Sequence, residues 1–440
     1  MSGQSPMTAA ARLARRLARP VAEADRARAA LHLLDWTGCA VAGARSDAAR
    51  AMRIAAGPCG DLLYWGALGN ILEMDDVDKR ALLHPGPVVV PAALAAADRA
   101  GASASTFLGA VVRGYEAMIR VGRAVGPDHY RYWHNTGTCG PFGAAAAAAD
   151  IDHLNTEQCA AALGLAGTQA SGLWQVRHEP RSHAKQLHTA RSADSGLLAA
   201  SLVRAGFGGL MSIFEGPQGF FAATCGDADP EAVLDFEEDA PWAIHEVSFK
   251  PWSACRHAHA AIDAALLLRA GGVRPESVAC GRIAVYRDAV VFCDKPAPAD
   301  SLSARFSLQH AVAVTLIGGA PKITDFEGES LARPDVGDLR RRLAVVEDPA
   351  ITARYPARFG ARLELDLSDG SRRTAEVADA LGDPENPMSD EELRVKALSL
   401  MRRGGMSAAA AERLAASALS LAHGGSLGAY LDLLRGGLAE

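Results

Sequence analysis

Apolar positions follow a helical rhythm from residue 22 to about 245, in Ala- and Leu-rich stretches separated by Gly, Pro and capping residues. Asn155-Thr156-Glu157-Gln158 has capping-box spacing and predicts a helix start, and Ser389-Asp390-Glu391-Glu392 predicts another near the C-terminus. The small-residue tracts 144–149 and 160–166 suit helices that approach one another closely. After about residue 275 the pattern changes. Segments 282–286, 343–346 and 362–367 read as strands, and the last alternates strictly before Ser368-Asp369-Gly370-Ser371, a hairpin signal. An amphipathic helix is expected over 307–317 and a returning helical tail over roughly 390–435. The expected fold is mainly α, with a large helical domain in two parts, 1–270 and 389–440, and a smaller α+β domain over 271–388. No internal repeat or low-complexity linker interrupts it.

Length supports the division, because 440 residues exceed what one hydrophobic core usually organises. With 49% hydrophobic and 22% charged residues the chain has ordinary globular composition, and a net charge of -6 gives no electrostatic footprint for nucleic acid. Small molecules are the expected partners. The eight cysteines include no C-x-x-C pair, which argues against a zinc ribbon and fits reduced, buried thiols in a cytoplasmic protein. No apolar run approaches a membrane span. The Arg-rich, acid-poor opening, residues 8–20, superficially suits a transit peptide, but a short first helix ending at Pro20 explains it as well.

Four segments carry candidate chemistry. The run from Glu73 through Asp75, Asp76 and Asp78 to His84-Pro85-Gly86 gathers carboxylates beside one histidine, and Pro85 places that imidazole on a bend. Such acids are either a solvated helix end or a group held together for a purpose. In the second segment His134 and Thr136 precede Gly137, Gly140, Pro141 and Gly143. These glycines would let backbone amides approach a ligand, with Pro141 in the first turn of a helix whose N-terminus favours an anion. A packed loop with a satisfied histidine explains the same residues. The third, Arg181 to Arg191, puts Lys185, His188 and Arg191 at three-residue spacing on one helix face, either solvated or facing a cleft as an anion receptor. The fourth runs from Lys250 through Cys255 and Arg256 to His259, where Asp263 four residues on would fix the His259 imidazole.

Together with Leu34-Asp35-Trp36-Thr37-Gly38-Cys39 and Arg305-Phe306-Ser307-Leu308-Gln309-His310, the ordered Asp-Asp…His-Pro-Gly, His-x-Thr-x-x-x-Gly and Lys-x-Leu-His elements resemble the MmgE/PrpD family over nearly the whole chain. The resemblance implies a helical domain with an α+β lid, a homodimer, and a site between the domains that needs neither metal nor organic cofactor. Residue by residue, it implies catalytic roles for His84, His134, Lys185, Glu73 and Asp75. Glu73 takes the place of an aspartate. Lys250, Arg256, Cys255, Asp76, Thr136 and His188 would contact substrate. Two departures stand out: Cys255 replaces a histidine of the decarboxylase branch, and Asn70 replaces a histidine common ahead of the acidic pair, which disfavours itaconate-type decarboxylation.

The implied activity is a cofactor-independent lyase, most like a hydro-lyase of the 2-methylcitrate dehydratase kind, acting on a small di- or tricarboxylate. Lys250, Arg256, Lys185 and the helix start after His134 would hold carboxylates, while His84 or His134 moves the proton and the acids tune them. Isomerisation, epimerisation or decarboxylation in the same site are the alternatives, and a non-catalytic carboxylate-binding scaffold is the more distant one.

Overall fold

The computed structural model describes residues 7–57, 61–179, 182–226, 229–234, 237 and 239–439. Cys59 and Arg181 lie outside them. Two apolar cores organise the described chain. The first is built from helices and gathers residues from Ala9 to Val247 and again from Ala397 to Leu438. The second runs from Ala254 to Ala380 and surrounds a four-stranded sheet. Among the described residues no helix is long and apolar enough to cross a membrane.

The first core centres on helix Asn135–Ile151, which packs most extensively against Ala184–Arg204 and Ala104–Ala124, and then against Gly86–Ala100. Nearly all of its side chains are small and buried. Its glycines serve helix packing, contrary to the ligand-approach expectation. A Cβ on Gly140 would stand 2.7 Å from Ser192 Cβ, and one on Gly143 would stand 2.6 Å from Met118 Cβ. Only glycine lets the backbones come this close. Pro141 also differs from expectation, for it lies inside the helix, six residues beyond its start. A proline there cannot donate to the carbonyl four residues back. That carbonyl, on Gly137, instead accepts the Ser192 hydroxyl at 2.9 Å.

The sheet has order β2-β1-β3-β4, with β1 Val278–Val285, β2 Leu343–Glu347, β3 Ala361–Leu367 and β4 Arg372–Val377. β1 pairs parallel with β2 and antiparallel with β3, and β3 forms the expected hairpin with β4. Gly370 closes that hairpin at φ 84°, in the left-handed region. Helix Leu308–Gly318 realises the helix expected over 307–317.

The second core begins one helix earlier than the expected boundary at 270. Helix His259–Ala270 buries Ala261, Ile262, Ala265 and Leu268 within it, packed on Leu308–Gly318, β3 and β4. After Ala380 the chain returns to the first core through Asp390–Arg403, opened by the Ser389 capping box and packed on Glu23–Gly43. A Cβ on Gly38 would lie 2.9 Å from Ala397 Cα, so that crossing also depends on a missing side chain.

Candidate active site

The acidic segment is not a solvated helix end. Between helices Asp61–Leu68 and Gly86–Ala100 the chain makes irregular turns in which Glu73 and Leu82 adopt φ of 55° and 54°. Non-glycine residues rarely hold this conformation unless their surroundings impose it. The surroundings here are charges. Glu73 Oε1 accepts from Lys185 Nζ at 2.5 Å, and Lys250 Nζ donates to the Glu73 carbonyl at 3.1 Å. Lys250 also lies 3.5 Å from Asp75 Oδ1, whose second oxygen accepts from Asn70 at 2.8 Å.

Burial alone would raise the carboxyl pKa values, yet these cations outweigh it. Lys185 and Lys250 bring Glu73 below its ordinary value, and Lys250 with His84 holds Asp75 far below its own. Both are therefore ionised in the interior. Burial pulls the other way on Lys250, but Asp75 and Glu73 raise its pKa and keep it charged.

His84 Nδ1 lies 2.9 Å from Asp75 Oδ2 and 3.0 Å from the Asp76 carbonyl. Both partners accept, so Nδ1 carries a proton and the ring has a fixed orientation. Thr136 supports it from below, its hydroxyl accepting the His84 backbone N–H at 3.0 Å. His134 caps helix Asn135–Ile151 with an N–H donated to the Gly172 carbonyl at 2.9 Å. Its Nδ1 meets His188 Nδ1 at 3.1 Å, and the Trp174 ring lies 4.5 Å away. Burial, then His188 and Lys185, push the His134 pKa well below the usual histidine range. Burial and Lys185 push His188 down to about 4. Both imidazoles are thus neutral at neutral pH.

Glu73, His84, His134 and Lys185 line one hollow between the two cores, closed on the other side by Cys255, His257 and Phe306. Its volume is about 50 Å3. A second hollow of about 290 Å3 adjoins it, and Trp174, Lys185, Phe292 and Phe306 line both.

Other expected contacts fall elsewhere. Lys250 and Asp75 lie beneath the hollow and do not line it. Asp76 faces the helical core, where it accepts from His32 Nδ1 at 2.6 Å, Tyr115 Oη at 2.7 Å and Gly86 N at 2.9 Å. Thr136 holds backbone, and His188 backs His134 without lining the inner hollow. Arg256 lines the hollow, but its guanidinium pairs with Asp383 and bonds His259 Nδ1 at 3.1 Å. Asp263 does not fix His259; it accepts from Trp252 Nε1 and Leu381 N, while His259 bonds the Ala254 carbonyl. Arg191 is exposed and pairs with Asp194, because a continuous helix turns it away from Lys185.

All seven described cysteines are free. Among the described residues the carboxylate trio close enough to share a cation is Asp379, Asp383 and Glu385. Lys79 Nζ stands there already, 2.7 Å from Glu385 and within 3.7 Å of the others.

The residues that sequence reasoning missed are Trp174, Arg177, Phe292 and Lys295. Their signal was faint: Trp174 and Arg177 share the short 3-10 turn Trp174–His178, and Phe292 and Lys295 flank the end of helix Arg287–Cys293.

A mainly helical protein with a smaller α+β part thus brings imidazoles, an ammonium and a carboxylate to one hollow between its two cores. The MmgE/PrpD N-terminal domain model matches residues 58–233 and the MmgE/PrpD C-terminal domain model matches 252–421, so the chain belongs to the MmgE/PrpD family. Cis-aconitate decarboxylase of Aspergillus terreus is 25% identical over 363 residues, 77% of this chain and 73% of its own length. The 2-methylcitrate dehydratase of Cupriavidus necator is 26% identical over 320 residues, 69% of this chain and 62% of its own.

Asp76 is a strut under His84 and Gly86. Asp76→Asn keeps its volume but gives it only one accepting oxygen for three donors, and should lower unfolding free energy by about 2 to 3 kcal/mol in urea titration. A change under about 0.5 kcal/mol would show that these bonds do not hold the turn.

Proposed function

We propose that this protein is a cofactor-independent lyase, most like a hydro-lyase, acting on a small di- or tricarboxylate by removing a proton next to a carboxylate. The observation that carries the reading is the convergence of neutral His134, Asp75-anchored His84 and the Lys185–Glu73 pair on one hollow from three distant stretches of chain. Its relatives are named for acting on cis-aconitate and 2-methylcitrate, which supports an organic acid as substrate.

The chemistry follows from the protonation states. A substrate carboxylate near the Lys185 ammonium makes the neighbouring C–H more acidic. Neutral His134 accepts that proton through Nε2, since His188 occupies its Nδ1. The C–H electron pair becomes the new C=C bond as the C–O bond breaks, and the departing hydroxide takes a proton delivered by His84 to leave as water. Ionised Asp75 holds the His84 ring in place. Isomerisation shares the first step and differs only in where the proton returns.

Purified protein in metal-free buffer should convert at least one member of a panel of citrate, methylcitrate, aconitate and substituted malates and succinates, followed by NMR. His134→Ala should lower turnover by about 100- to 10,000-fold with an unchanged melting temperature. Full activity in that variant removes the assignment. Deuterium uptake from D2O without loss of water would move the reading to isomerisation, and binding without any conversion would leave only a carboxylate-binding scaffold.

Because burial and Lys185 keep the His134–His188 pair unprotonated into acid, kcat/KM should hold through the ordinary histidine range and fall only well below it, as the pair takes up a proton. An acid limb near the ordinary histidine value in the pH–rate profile would contradict this.

A further inference from the structure

The inner hollow raises a problem of size and charge. At about 50 Å3 it holds only a few water-sized groups and cannot enclose a whole di- or tricarboxylate. Its cations are also already neutralised: Lys185 by Glu73, Lys250 below it by Asp75 and Glu73, and Arg256 by Asp383. A second substrate carboxylate placed there would meet Glu73 without a free positive charge to offset it.

The adjoining outer hollow has the opposite character. Among the described residues no acidic side chain lines it, and Arg177, Lys295 and Lys185 do. Among the described residues neither Arg177 nor Lys295 has a carboxylate within salt-bridge distance. Arg177 feels Asp288 only at longer range. Its Nη2 donates to the Tyr130 carbonyl at 3.4 Å, which holds the guanidinium at the wall of the hollow without neutralising it. Its plane is held by aromatic rings, with Cζ 3.9 Å from the Phe292 centroid and 4.4 Å from that of Trp174. Lys295 Nζ lies 5.3 Å from the Phe306 ring. Val176, Val291 and Leu302 add apolar wall, beside the polar His178, Ser182, Gln186 and Ser303.

We propose that the outer hollow is a second carboxylate subsite, in which Arg177, aided by Lys295, binds the distal carboxylate of a substrate whose reacting end enters the inner hollow. Trp174, Phe292 and Phe306 line both hollows and fit an aliphatic connector, so the substrate class is a dicarboxylate with its two acid groups separated by a short hydrocarbon chain. This rests on the carboxylate-lyase reading and deepens it. Arg177 is a specificity residue under this assignment, since it touches substrate far from the bond that breaks.

The test is calorimetric titration of the full-length protein with linear dicarboxylates from succinate to suberate, with the monocarboxylate of equal chain length as partner probe and citrate as reference. Wild type should bind its preferred dicarboxylate about tenfold or more tightly than the matching monocarboxylate. Arg177→Gln should abolish that preference by weakening the dicarboxylate alone, Arg177→Lys should retain part of it, and Lys295→Gln should reduce it with the fold undisturbed. Equal affinity for both probes in wild type, or equal loss of both in the variants, overturns the subsite while citrate binding leaves the lyase reading standing. If neither citrate nor any probe binds wild type, the lyase reading fails and the subsite falls with it.

Discussion

Ionised carboxylates cannot remain in a protein interior unless cations meet them there, and the candidate site depends on that requirement. Glu73 and Asp75 are buried, and burial alone pushes each toward its protonated form. Lys185 from helix Ala184–Arg204 and Lys250 from the segment before the second core reverse this. The same contacts tie three remote stretches of chain together and hold Glu73 in its left-handed conformation. Charge neutralisation and site geometry are therefore one arrangement.

The helical core supplies the rigidity this arrangement needs. Gly140 and Gly143 let helix Asn135–Ile151 touch its neighbours backbone to side chain, and Ser192 takes over the carbonyl that Pro141 leaves unpaired. That helix carries His134 as its cap, and Ser192 lies two turns beyond Lys185 on the partner helix. Packing that admits no added methyl groups thus sets the positions of the imidazole and the ammonium.

Much of the fold was legible because its signals are local. Alternation in β3, the turn residues at 368–371 and the capping boxes at Asn155 and Ser389 depend on neighbours a few residues apart, and each element stands where the pattern placed it. The start of the second core was not, because helix His259–Ala270 has an Ala-rich face that would suit either core, and only tertiary packing selects the sheet. In the site, residue type and order marked His84, His134, Lys185 and Glu73. Sequence could not show that Asp76 faces inward to His32 and Tyr115, or that Arg256 is already paired, since those partners lie 39 to 127 positions away. Arg177 and Lys295 escaped notice because their distinction is the absence of an acidic neighbour, which only the folded chain reveals.

A double-mutant cycle on Lys185→Met and Glu73→Gln, read as unfolding free energy in urea, tests the central interaction without any ligand. Removing either partner strands a buried charge, whereas removing both strands none, so the double variant should be more stable than the sum of the singles predicts by about 1 to 3 kcal/mol. Additive losses within about 0.5 kcal/mol would mean that the two side chains do not depend on one another in the folded protein.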